Sequence, residues 1–149
     1  MQDRIEKSIE LKASVARVWR ALTDYQEFGE WFRVKLDGPF VVGEVSRGQM
    51  TYEGYEHVKW KAQVQAMEPE RLFSFTWRPY ADDPDTDYTN ESQMLVEFRL
   101  EPTSGGCRLV ISESGFSALP DDARRVDALR ENTKGWDEQA NNITAHVEG

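Results

Sequence analysis

Apolar and polar positions alternate at the start of the chain. Ile5, Ile9 and Leu11 are interleaved with Glu6, Ser8, Glu10 and Lys12, the period-2 signature of a strand with one wet face. The period then lengthens. Val15, Val18, Trp19 and Leu22 follow Ser14 at helical spacing, and a serine at that place caps a helix. A second short helix carries Phe28, Trp31 and Phe32, opened by Thr23 with Gln26 or by Asp24 with Glu27, both at capping-box spacing. Asp37-Gly38-Pro39 is a turn.

From Gly43 to Ser114 the pattern is mostly β. Gly48, Met50 and Tyr52 alternate with Gln49 and Thr51, and Glu53-Gly54 forms a tight turn. Val58, Trp60, Ala62, Val64 and Ala66 then alternate with Lys59, Lys61, Gln63 and Gln65, which predicts a strand with one apolar and one charged face. Glu68-Pro69-Glu70 turns the chain into Phe73, Phe75 and Trp77. After an acidic stretch from Asp82 to Asp87, Met94, Val96, Phe98 and Leu100 form the next inward set. Ser104-Gly105-Gly106 is a hairpin turn, and Cys107, Leu109, Ile111 and Glu113 share one face beyond it. Strands joined by such short turns pair antiparallel.

The last segment differs in kind. Val126, Leu129, Thr133, Trp136, Ala140, Ile143 and Val147 step alternately by three and four residues. That is one stripe on a helix about 25 residues long, roughly 35–40 Å. Asp121 and Asp122 fall in its first turn, where the helix dipole favours acids. Strand, two short helices, antiparallel sheet and long terminal helix make an α+β layout, with the helix laid across a curved sheet.

Composition narrows the functional classes. The chain has 149 residues and a formal net charge of −9, a size that fits one domain spanning residues 1–149. The charge argues against a non-specific nucleic-acid binder and against docking on anionic membranes. One cysteine, Cys107, permits no internal disulfide. No apolar leader or stretch of about 18 apolar residues is seen, so a cytoplasmic location without membrane insertion is expected. Asn90-Glu91-Ser92 and Asn142-Ile143-Thr144 then match the glycosylation pattern by chance.

Catalytic and metal signatures are sparse. Two histidines, His57 and His146, and one cysteine cannot build a structural zinc site. Asp83, Asp85 and Asp87 have the spacing that opens a calcium loop, but Tyr88 and Met94 stand where its glycine and glutamate belong. No metal and no cofactor are expected. Cys107 shares a face with Leu109 and Ile111, which predicts a buried, inert thiol. Gly135 interrupts the long helix, and close backbone approach to an aromatic, or else a ligand contact, would explain it. Lys59, Lys61 and Arg71 read as a solvated face, or else as a basic patch for a partner.

Glu113 stands out because it continues the inward phase of Leu109 and Ile111. A carboxyl group there must be paired, or its pKa must rise. Two readings follow: it holds a buried tyrosine, tryptophan or arginine, or it acts as a general acid or base. The aromatic set Trp19, Trp31, Trp60, Trp77 and Trp136, with Phe73, Phe75 and Phe98, reads as core or as pocket wall.

Several residues in order carry a family resemblance: Val18-Trp19, Ala21-Leu22-Thr23, Trp31, Pro69-Glu70-Arg71-Leu72, Phe75-Thr76-Trp77, Val96-Glu97-Phe98, Glu113-Ser114-Gly115-Phe116, and Asn132 with Gly135-Trp136. From about Ile5 to Val147 the chain resembles the START-like (SRPBCC) helix-grip proteins. Within them it is similar to the family named for the activator of heat shock protein 90 ATPase. The resemblance implies a deep apolar cavity between sheet and terminal helix, and not one chemistry.

Three function classes follow. The leading expectation is a non-enzymatic binder of a small apolar, aromatic or lipid-like molecule. Its site would comprise Trp60, Phe75, Trp77, Phe98, Ile111, Glu113, Leu129, Thr133 and Trp136. The second is a chaperone-associated module in stress physiology, implied by the family name, although the full-length activator resembles this chain in one domain only. The third is a cyclase- or hydrolase-type enzyme using Glu113 with a nearby hydroxyl. The resemblance also implies a homodimer, for which no exposed apolar stripe speaks.

Overall fold

The computed structural model describes residues 4–54, 56–77, 93–116 and 123–148, and their side chains apart from those of 123–128. The acidic stretch 82–87, the calcium-like acids within it, the Asn90 match, Asp121, Asp122 and the side chain of Val126 lie outside that description.

The elements run β1 (Arg4–Leu11), α1 (Val15–Thr23), α2 (Tyr25–Phe32), β2 (Val34–Leu36), β3 (Val45–Met50), β4 (Lys59–Glu68), β5 (Leu72–Trp77), β6 (Met94–Thr103), β7 (Gly106–Ser114) and α3 (Ala123–Glu148). The strands form one seven-stranded sheet in the order β1-β7-β6-β5-β4-β3-β2, and every neighbouring pair is antiparallel. All three helices lie on its inner face, α3 packing against β1, α1 and α2. This is the helix-grip architecture.

Local chemistry sets the helix starts. Ser14 Oγ accepts from the Arg17 amide at 3.1 Å and caps α1. Asp24, not Thr23, caps α2: one carboxylate oxygen accepts from the Gln26 and Glu27 amides, while Thr23 donates to the Trp19 carbonyl at 2.8 Å. Satisfying these orphan amides is worth on the order of 1 kcal/mol per cap. Arg33, in the left-handed region at φ 68°, ends α2 and turns the chain into β2. That three-residue strand is too short for alternation to reveal, and the sequence reading missed it.

Two strand expectations need correcting. β3 ends at Met50, and Tyr52 lies beyond it, its hydroxyl 3.0 Å from Glu138 Oε2 on α3. In β4 a bulge falls between Val64 and Ala66, so that Val64 pairs with Phe75 but Ala66 with Ser74 and Met67 with Phe73. The extra residue reverses the phase. Met67 therefore joins the inner face, and Ala66 moves to the outer one.

Ion pairs and one amide hydrogen bond tie the helices to the sheet and to one another. Lys7, on the inner face at the sheet's edge, reaches Asp137 of α3. Near the chain's end, Glu148 accepts from the Lys12 amide at 2.8 Å. Glu27 gathers Arg17, Arg20 and His146, each 2.7–2.9 Å away, and so links all three helices. Burial alone would raise the Glu27 carboxyl, but the bonds from His146, Arg17 and Arg20 outweigh it and hold the group below its ordinary value.

The glycines of the helices behave oppositely. A Cβ added at Gly135 would meet no atom of the described residues within 4 Å, so close approach to a described aromatic does not account for that residue. At Gly29 a Cβ would stand 2.4 Å from the Val34 carbonyl oxygen, so the α2–β2 turn needs glycine. Gly135→Ala is expected to raise unfolding free energy by about 0.5–1 kcal/mol. Gly29→Ala should lower it by roughly 1–3 kcal/mol. Urea denaturation measures both, and a destabilising Gly135→Ala would contradict the open surroundings of that position.

Candidate functional site

The inward residues of the sheet and helices meet in one aromatic cluster. Phe75 contacts Trp60, Trp77 and Phe98 at centroid distances of 5.3, 5.4 and 6.0 Å. Trp136 of α3 lies 5.8 Å from Trp77, 5.9 Å from Phe98 and 6.2 Å from Phe32. Most of these contacts are edge-on or tilted, as aromatic quadrupoles prefer. Each buried ring contributes on the order of 1.5–3 kcal/mol by leaving water. The indole N–H groups find acceptors: Trp31 donates to the Ala21 carbonyl at 2.8 Å, and Trp60 to Ser46 Oγ at 3.0 Å.

Two further indoles converge on Glu113. The Trp77 indole donates to Oε2 at 2.6 Å and the Trp136 indole to Oε1 at 2.9 Å. Asn132 Nδ2 donates to Oε1 at 2.9 Å. The carboxyl group is wholly buried, and its cross-strand neighbours, Ile5 and Val96, are apolar. Three elements supply the donors and the acceptor: the end of β5, the end of β7, and one turn of α3 carrying Asn132 and Trp136 at i, i+4. Burial pushes the Glu113 carboxyl above its ordinary value, against the opposing pull of the bonds from Trp136, Trp77 and Asn132.

This geometry gives Glu113 the tryptophan-holding role that its inward phase suggested. No hydroxyl is among the partners that its carboxylate has in the described residues, only two indoles and an amide. The arrangement can hold charge or a proton and can anchor a polar group.

Of the residues expected to line a pocket, Trp60, Phe75, Trp77, Phe98, Glu113 and Trp136 come together directly. Ile111 is buried and paired across the sheet with Phe98. Leu129 is half-buried against the same core. Thr133 does not join them: it is exposed, and its hydroxyl donates to the Leu129 carbonyl at 2.6 Å. The polar residue turned inward on this part of α3 is Asn132, which the stripe overlooked because Thr133 also fits a three–four spacing. Phe75, Phe98 and Glu113 have 0% exposure, so neighbouring side chains cover them completely. The part of the cluster that reaches the surface is formed by Trp77, Leu129 and Asn132. Cys107 is buried, and burial pushes its thiol up. Among the described residues no group of three or more His, Cys, Asp or Glu side chains is placed to hold a metal, and no helix is long and apolar enough to cross a membrane.

The sign of the pH effect follows from the raised value. Between the ordinary value of 4.5 and the folded one, the unfolded chain has released the proton and the folded chain keeps it. The stability owed to Glu113 therefore falls as pH rises through that window. Glu27 has the opposite sign, losing stability as pH falls through its lowered folded value, so a difference between variants is the proper readout. Glu113→Gln turns an amide donor toward indole or amide N–H groups and should cost about 1–3 kcal/mol at low pH. The gap between wild type and variant should narrow as pH rises and then level off. Urea denaturation from pH 4 upward checks this, and a gap that widens with pH would contradict it.

Comparison with known proteins places this geometry in a wider group. The family model described as "Activator of Hsp90 ATPase homolog 1-like protein" matches residues 12–148. No curated protein matches the chain. Among solved structures, a Mesorhizobium loti protein is similar at 26% identity and TM-score 0.76, covering 97% of this chain and 96% of its own. A Chromobacterium violaceum protein shares the fold at 22% identity and TM-score 0.75, over 100% and 99% of the two chains. An Arthrobacter aurescens protein shares it at 18% identity and TM-score 0.77, over 97% and 86%. With the family model spanning nearly its whole length, the chain belongs to the activator of Hsp90 ATPase homolog 1-like family of START-like helix-grip proteins.

Proposed function

We propose that the protein binds a small, neutral, largely aromatic molecule between the sheet and the first half of α3. One observation carries this reading: a buried ionisable carboxylate, Glu113, stands at the inner end of an aromatic cluster whose outer members reach the surface. Rings supply apolar area, and the Glu113–Asn132 pair supplies the one directional polar anchor that such sites use to orient a ligand. A ligand N–H or O–H that displaces the Asn132 amide would keep the carboxylate satisfied.

Entry would be at Trp77, Leu129 and Asn132, since Phe75 and Phe98 are sealed beneath them. The backbone of α3 packs closely on β1, α1 and α2. Toward β5 and β6 it is large rings, Trp77, Trp136 and Phe98, that span the distance. Rotating a ring opens space there without unpairing a strand. A negative ligand is disfavoured by Glu113 when it is ionised.

The neutral fluorophore N-phenyl-1-naphthylamine tests this. Saturable one-to-one binding with quenching of indole emission is expected. Leu129→Trp, which adds bulk at the half-buried mouth, should weaken binding at least ten-fold while thermal unfolding stays cooperative. Absence of saturable binding to the wild type, or equal binding by Leu129→Trp, would overturn the proposal.

The family match favours a second reading, a chaperone-associated module. It predicts that adding the protein at saturation stimulates the ATPase of an Hsp90-type chaperone, and an unchanged rate would remove it.

A further inference from the structure

The outer face of the sheet divides into two electrostatically different halves. On the β1-β7-β6 half, Arg4 pairs with Glu6, Arg99 with Glu97 at 2.7 Å, and Arg108 with Glu10 and Glu101 at 2.8 and 3.5 Å. Charge there is compensated within the face. The β4-β3-β2 half differs. Arg47 stands directly opposite Lys61, and Gln49 stands between Lys59 on one side and Lys35 on the other. All four cations are exposed, and among the described residues none makes an ion pair within 4.0 Å. Arg71, grouped with these lysines in the sequence reading, belongs elsewhere because it pairs with Glu68 at 3.0 Å.

Like charges directly opposite in an antiparallel pair destabilise it. The fold thus carries an unfavourable Arg47–Lys61 pairing in a chain whose net charge is −9, where a carboxylate was the common surface choice. Apolar surface adjoins the patch. Val45, two residues from Arg47 on the same face, is 43% exposed, and Val41 and Val42 just before it are 48% and 54% exposed. These are the large apolar side chains most open to solvent among the described residues.

We propose that this face, formed by Lys35, Arg47, Lys59, Lys61 and the neighbouring Val45, docks an extended acidic segment of a partner protein with apolar residues among its carboxylates. Charge complementarity selects the occupant. Lys59 and Lys61 lie about 6.8 Å apart along their strand, which equals the spacing of alternate residues in an extended peptide. Carboxylates at every second position of such a peptide meet them in register, and an apolar residue in the same phase, one step beyond, covers Val45, which lies opposite Gln63. A large polyanion is disfavoured because it also meets the excess negative charge of the rest of the molecule. A short segment senses chiefly the charges within a Debye length, about 8 Å at physiological salt. A second copy of this chain offers no matching acids on the opposite half of the face, where Glu6, Glu10, Glu97 and Glu101 are already paired.

The test uses a fluorescein-labelled peptide of two Glu-Ser-Glu-Ser-Val-Ser repeats, with binding followed by anisotropy. Saturable binding that weakens with salt is expected. The double variant Lys59→Gln, Lys61→Gln should weaken it at least ten-fold, and Lys134→Gln, exposed on α3, should leave it unchanged. Lys61→Glu separates docking from structure: it should abolish binding while the Tm stays level or rises, since Arg47 gains an opposite charge across the strands. No saturable binding to the wild type, undiminished binding by the double variant, or binding retained by Lys61→Glu would overturn the proposal. Tighter binding of phosphatidylserine vesicles or duplex DNA to the same lysines would overturn it too, as would a dimer in sedimentation that Lys61→Glu dissociates.

Discussion

A carboxyl group removed from water loses solvation that hydrogen bonds must restore, and here two indoles and an amide restore it. Glu113 sits where β7 ends; its donors come from the end of β5 and from the first half of α3. Neither the sheet nor the helix alone satisfies the group. Only when α3 lies at the right height and rotation over the sheet do Asn132 and Trp136 reach one carboxylate oxygen while Trp77 reaches the other. Hydrophobic packing is tolerant of small slips of a helix on a sheet, because ring contacts can be remade. Three convergent hydrogen bonds to a single carboxylate are not. The apolar cluster drives the helix onto the sheet, and Glu113 decides where it stops.

That division of labour links the fold to both proposed surfaces. Inside, the same rings that bury apolar area form the wall around the only fully buried carboxylate among the described residues, which suits a site that recognises shape first and one polar group second. Outside, the strand register that faces the aromatics inward also fixes the opposite side chains. Trp60, Ala62 and Val64 point to the core, so Lys59, Lys61 and Gln63 must point away from it. Bringing Arg47 opposite Lys61 is a consequence of that register, and its persistence against repulsion is what separates this half of the outer face from the compensated half.

Much of this was legible in the sequence because the informative segments are long and strictly periodic. β6 keeps its alternation from Met94 to Glu101 and β7 from Gly106 to Ile111, and the inward phase of Glu113 followed directly from Leu109 and Ile111. The α+β order and the length of α3 came from the same reasoning. Where single residues decide, periodicity failed. A bulge after Val64 moved Ala66 outward, and nothing in the alternating pattern signals an inserted residue. On α3 both Asn132 and Thr133 satisfy a three–four stripe; the choice fell to Asn132 because it reaches Glu113 while Thr133 bonds back to its own helix. Gly135 had invited a packing explanation that the open surroundings of its Cβ position do not support.

One buried carboxylate couples Trp77 and Trp136. Nuclear magnetic resonance reads that coupling directly: the carboxyl carbon of Glu113 and the indole N–H resonances of the five tryptophans followed together through a pH titration. One Glu113 titration step is expected above the ordinary value of 4.5, with the Trp77 and Trp136 indole resonances moving through the same midpoint and those of Trp31 and Trp60 still. A Glu113 carboxyl that titrates at its ordinary value, with both indole resonances indifferent to it, would contradict that coupling.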